Sequence, residues 1–228
     1  MLVTVDQALS ADEVAELRAN LHAGEDAWVD GRATAGYQGA PLKFNQQIDE
    51  RSAVAGRCQA VVLGAIERHP LFISAALPNR VYPPMFNRYG AGMAFGAHVD
   101  GGVRIDPRSG DKLRTDISAT LFLSDPGDYD GGELEVADTY GLHSVKLNAG
   151  DLLLYPATSL HQVTPVTRGE RLACVFWVQS LVRDDGQRAL LFDLDTAIQQ
   201  LNRTGADDEA RRTLVGCYHN LLRRWADT

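Results

Sequence analysis

The stretch AFGAHVDGG, residues 94–102, places a histidine and an aspartate two positions apart, His98 and Asp100, with Gly101 and Gly102 directly behind them. On extended chain, side chains at i and i+2 project to the same side. An imidazole and a carboxylate held that way supply two ligands for a metal ion. A third must come from elsewhere in the chain.

The sequence contains six histidines. His22 falls near the end of a helical stretch, where a cation is favourable. His69 precedes a proline, His219 sits beside Tyr218 in a helical segment, and His143 opens a short strand. All four read as structural. His161 differs, because in GDLLLYPATSLHQVTPV an apolar strand runs into a small-residue turn, then the histidine, then another strand. Ten residues later Arg171 heads RLACVFWVQ. Strand alternation puts Arg171, Ala173, Val175 and Trp177 on one face and Leu172, Cys174, Phe176 and Val178 on the other. An arginine entering so apolar a strand either reaches back to solvent or meets an anion.

The ordered set is H-x-D, 60 intervening residues, a histidine, and an arginine ten positions on. Two imidazoles and one carboxylate match the facial triad of non-haem Fe(II) oxygenases, which leaves three coordination positions open. A bidentate co-substrate fills two and O₂ the third. The planar fork of Arg171 suits the distal carboxylate of a dicarboxylic co-substrate.

The segments HVD, DPGDYDGGELEVADTYGLHSVKL and GDLLLYPATSLHQVTPVTRGER resemble the bacterial PKHD-type hydroxylases. These are Fe(II)- and 2-oxoglutarate-dependent dioxygenases related to prolyl and lysyl hydroxylases. The likeness extends to FNQQID near the start and YHNLLRRWAD at the end. It implies a double-stranded β-helix (jelly-roll, cupin-like) fold, iron on His98, Asp100 and His161, 2-oxoglutarate on Arg171, and L-ascorbate as a reductant for over-oxidised iron. It also implies oxidative decarboxylation of 2-oxoglutarate to succinate and CO₂, coupled to hydroxylation of a small-molecule or peptide substrate. Peptidyl proline or lysine, or a compound of iron metabolism, are the substrates it suggests. Tyr89, nine residues before His98, matches a tyrosine that binds 2-oxoglutarate in related enzymes. Phe95 stands where relatives often have tyrosine, and is assigned to packing. The alternative is a non-catalytic module that senses iron or 2-oxoglutarate.

The elements that must position these residues divide the chain in three. Residues 1–77 read as an N-terminal helical support region, with Ser10 as a helix N-cap and Gly24 as a stop. A second helix is expected to run from SAVAGRC to about His69-Pro70. Residues 78–182 read as the β core, seven or eight short strands separated by turn signals such as DPGDYDGG and LNAGD. Residues 183–228 read as C-terminal amphipathic helices, compatible with a homo-oligomer. The 101–115 stretch reads as a mobile loop over the site. The acids Asp125, Asp128 and Asp130 lack the order of a calcium loop and read as turn chemistry.

Composition narrows the setting. The 228 residues carry a formal charge of −8, which argues against nucleic acid or an anionic membrane as partner. No apolar run reaches the roughly 20 residues of a membrane span. Cys58, Cys174 and Cys217 are scattered and odd in number, so neither a disulfide framework nor a zinc ribbon is expected. A cytoplasmic location follows as the expectation.

Overall fold

The computed structural model describes residues 1–205 and 208–227. Two sheets dominate it, and every strand pairing among the described residues is antiparallel. The larger runs, in spatial order, Val3–Val5, Leu152–Pro156, Ile117–Phe122, Arg171–Ser180, Met85–Tyr89, Gln46–Ile48 and Trp28–Asp30. Pro78–Val81 pairs with the second half of Arg171–Ser180. The smaller sheet runs Gly141–Val145, Leu134–Asp138, His161–Val163, Ala94–His98 and Lys43–Phe44.

Alternation separates the two faces of the larger sheet. Leu172, Cys174, Phe176 and Val178 point outward and share one core with Leu17, Val62, Ile66 and Phe72. Those four come from helices α1 (Ala11–Ala23), α2 (Ala53–Glu67) and α3 (Pro70–Ala76). The opposite face meets the smaller sheet. Phe122, Leu153 and Tyr155 pack there against Leu134, Val136 and Val163. The helical layer therefore closes one side of the larger sheet and leaves the other free to build a cavity.

The helix ends follow local chemistry. Ser10 caps α1 in a capping box with Glu13, and Gly24 ends it. The second expected helix ends close to where it was expected, at Glu67, and a further short helix follows it. Pro70 takes the first position of α3, and His69 before it is extended, which stops α2 at Glu67. After the sheet, α4 (Asp185–Thr204) and α5 (Asp208–Trp225) pack together over Leu77, Val182 and Leu191. No helix among the described residues is long and apolar enough to cross a membrane.

Two expectations need correcting. The first 77 residues are not wholly helical, since Val3–Val5, Trp28–Asp30, Lys43–Phe44 and Gln46–Ile48 extend both sheets. Runs of two or three residues are too short to show a period, and only tertiary pairing makes them strands. The stretch after Asp100 is no open loop either. Val103–Ile105 and Lys112–Arg114 form a hairpin. Its base is tied by Thr115 Oγ1, which donates to the Gly101 carbonyl at 2.7 Å.

The entry to Arg171 depends on a glycine. Gly169 pairs with Tyr129 and has φ +75°, and a Cβ there would lie 2.0 Å from the Asp128 carbonyl oxygen. Gly169→Ala is therefore expected to cost about 2–4 kcal/mol. At this chain length each kcal/mol lowers Tm by roughly 2–4 °C. Thermal melting checks it, and an unchanged Tm would show that the turn relaxes without strain.

Candidate active site

The smaller sheet brings the three sequence-predicted ligands together. His161 and His98 are cross-strand partners, so their rings sit 4.3 Å apart between centroids. Asp100 follows the end of the His98 strand by two residues and turns back toward the same point. One donor atom from each of His98, Asp100 and His161 lies within 4.8 Å of the others. Among the described residues no other group of three His, Cys, Asp or Glu side chains is so placed. The acids Asp128 and Asp130 instead pair with Arg18 and Arg168.

The hydrogen bonds around the trio settle which atoms face inward. His98 Nδ1 is 2.8 Å from the Gly96 carbonyl, and His161 Nδ1 is 3.1 Å from the Ser159 carbonyl. A carbonyl only accepts, so each Nδ1 carries the proton and each Nε2 keeps a free lone pair. Those Nε2 atoms stand 3.8 and 3.7 Å from the two oxygens of Asp100. Such gaps are too long for hydrogen bonds and are of a size that two metal–ligand bonds of roughly 2.1 Å would span. Ser118 Oγ donates to Asp100 Oδ2 at 2.6 Å and orients the carboxylate. Burial, and then the neighbouring His161, push the His98 imidazole down to about 4, so it is neutral and able to ligate at neutral pH. Phe95 stacks on His98 with centroids 3.7 Å apart, which is the packing role expected of it.

Arg171 does not reach solvent. It is 1% exposed, and its Nε and Nη2 find no acceptor. Its guanidinium lies over the rings of Tyr89 (5.3 Å) and Phe122 (5.4 Å), and Tyr89 is its cross-strand partner. Burial pushes the Tyr89 phenol up, against the opposing charge of Arg171. Tyr129 joins this cluster. Burial pushes its phenol up, and Arg171 is the first charged neighbour that opposes the shift. Two guanidinium nitrogens without an acceptor among the described residues, on a residue that lines a cavity, are an environment that a carboxylate completes.

Arg171, Tyr89 and the trio line a single cavity of about 810 Å³. Its outer walls are the polar stretch from Thr34 to Lys43 and the start of the hairpin, Gly101 to Arg104. Sequence reasoning missed Ser118, Tyr129, Tyr155, Lys43 and Arg104. Tyr155 sets its ring edge-on against His161 at 5.1 Å. The usable signal was slight, an aromatic alone in DPGDYDGG and a tyrosine ending an apolar strand.

The Ser118 contact makes a measurable claim. Ser118→Ala should weaken Fe(II) binding by about 10–100-fold, the usual cost of losing a group that orients a metal-ligating carboxylate. Metal titration of the purified variant checks it, and unaltered affinity would leave Ser118 without that role.

Comparison with known proteins gives the family. The 2OG-Fe(II) oxygenase superfamily matches residues 84–179, and the PKHD-type hydroxylase C-terminal domain matches residues 185–227. A PKHD-type hydroxylase of Cupriavidus metallidurans is 71% identical over 228 residues, covering 100% of both chains. One from Caulobacter vibrioides is 56% identical, again over 100% of both. Among solved structures, a Pseudomonas putida prolyl-4-hydroxylase aligns with TM-score 0.54 at 24% identity, over 78% of this chain and 92% of that one. The α-ketoglutarate-dependent carbocyclase SnoK of nogalamycin biosynthesis aligns with TM-score 0.57 at 15% identity, over 79% and 80%. The fold is shared with both. The chain belongs to the PKHD-type hydroxylases of the 2OG-Fe(II) oxygenase superfamily, and is an Fe(II)- and 2-oxoglutarate-dependent hydroxylase.

Proposed function

We propose that His98, Asp100 and His161 hold the iron of this hydroxylase, and that Arg171 with Tyr89 holds its 2-oxoglutarate. One observation carries the assignment. Two imidazole lone pairs and a carboxylate converge in the same cavity that is lined by a buried guanidinium, two of whose nitrogens lack an acceptor among the described residues. The donor set suits Fe(II), and the fork of Arg171 suits the far carboxylate of a dicarboxylate. Bound iron supplies the oxidation chemistry that couples conversion of 2-oxoglutarate to succinate and CO₂ with hydroxylation of the primary substrate.

The chain's own residues supply binding and exclusion of water. Arg171 anchors one end of the co-substrate and Tyr89 flanks it. His98 and His161 stay neutral-donor ligands because backbone carbonyls hold their Nδ1 protons. Phe95 and Tyr155 close the sides of the two rings and keep water from the ligand nitrogens. The primary substrate, a small molecule or a peptide, enters between the Thr34–Lys43 wall and the hairpin.

The same reading treats the two sheets as halves of a double-stranded β-helix within residues 78–182, supported by residues 1–77 and 183–228. L-Ascorbate is its reductant for over-oxidised iron. The free thiols Cys58, Cys174 and Cys217 are in keeping with a reducing, cytoplasmic setting.

Anaerobic titration with Fe(II) and then 2-oxoglutarate tests the assignment through the visible metal-to-ligand charge-transfer band. Wild type should develop the band, and a chelator should abolish it. Arg171→Gln should bind iron but require about 30-fold or more additional 2-oxoglutarate, the loss of roughly 2 kcal/mol expected for a charge-assisted pair. Equal 2-oxoglutarate affinity would remove Arg171 from the role, and no band in iron-loaded wild type would overturn the site.

A further inference from the structure

The cavity holds two cations besides Arg171. Lys43 is 7% exposed, and its ammonium donates to Gln47 Oε1 at 3.0 Å and Thr34 Oγ1 at 3.3 Å. An ammonium has three donors, so one is left over. Arg104, from the hairpin, lies over the rings of Trp177 (4.3 Å) and Tyr82 (5.1 Å), with Nη2 3.7 Å from Met85 Sδ. Among the described residues neither cation has a carboxylate within ion-pair distance. Glu50 acts on both cations, and Asp100 and Asp30 on Lys43, only at longer range. Trp177 Nε1 is buried beside Arg104 and has no acceptor. Each cation also disfavours the other, for Arg104 is the first charged neighbour that lowers Lys43, after burial itself.

Register places this wall on the far side of the metal trio from Arg171. Arg171 and Trp177 lie on one strand, six residues and therefore about 20 Å apart. Ser118, which holds Asp100, is the cross-strand partner of Trp177. The trio thus sits close to the Trp177 end, and Arg171 faces the other. A co-substrate anchored on Arg171 therefore lies toward the opposite end of that strand from Trp177 and Arg104. We propose that this wall recognises a carboxylate on the primary substrate: two cations without an ion-paired carboxylate and an unpaired indole N–H, set on aromatic rings beside the three candidate ligands, select a small aromatic or apolar carboxylic acid. The inference rests on the co-substrate lying at Arg171.

The test uses the anaerobic Fe(II) protein saturated with 2-oxoglutarate. Isothermal calorimetry compares 3-phenylpropionate with its neutral amide, 3-phenylpropionamide. The carboxylate is expected to bind about tenfold or more tightly, as loss of one charge-assisted contact implies. Arg104→Gln and Lys43→Gln should each erase most of that preference, and Arg104→Lys should keep it. Equal binding of the two probes to wild type, or a preference that survives Arg104→Gln in a variant that melts like wild type, overturns the proposal. So does carboxylate binding that disappears as 2-oxoglutarate is added, because the probe would then occupy Arg171. Failure of the co-substrate assignment shows separately, as absence of the charge-transfer band in the same samples.

Discussion

A guanidinium buried to 1% exposure with no acceptor for two of its nitrogens is the constraint around which this molecule is arranged. Left alone, such a charge costs on the order of several kcal/mol. The protein tempers that cost without cancelling it. Tyr89 and Phe122 turn ring faces toward the charge, and the outer face of the same strand buries Leu172, Cys174, Phe176 and Val178 against three helices. Stability comes from the outer layer, and the inner face keeps a cation whose natural partner is an anionic ligand.

Antiparallel pairing does the same for the metal site. His98 and His161 stand opposite each other because their strands are neighbours, and the backbone itself accepts both Nδ1 protons. Asp100 gains its orientation from a different sheet, through Ser118. The trio therefore joins the two sheets at one point, and separating the sheets would dissolve it.

The polarity of the cavity is distributed along one strand. Arg171 begins it, Trp177 lies near its far end with Arg104 across the indole, and the metal trio stands between. Cations thus stand toward both ends of the cavity, with His98, Asp100 and His161 among its lining. This gives direction to a cavity whose walls are otherwise largely aromatic and small.

Much was legible in the residues alone. His98, Asp100, His161 and Arg171, which line one cavity, could be singled out as candidates because their chemistry is scarce and each stands in a distinctive local setting, a Gly-rich strand end, a turn after an apolar run, or the head of an apolar strand. Ser10, Gly24 and the core strands around Ile117–Phe122 and Arg171–Ser180 were readable because caps and alternation are local signals. Val3–Val5 and Gln46–Ile48 were not, since two or three residues carry no period and become strands only when a neighbour offers a ladder. Ser118, Tyr129, Lys43 and Arg104 are common residue types in ordinary surroundings, and nothing in their spacing distinguishes them. Residue type determined which atoms are able to bind iron and a dicarboxylate. Tertiary structure decided which distant side chains meet those atoms, because strand register and burial, not spacing along the chain, set which groups share a cavity and which remain without a partner.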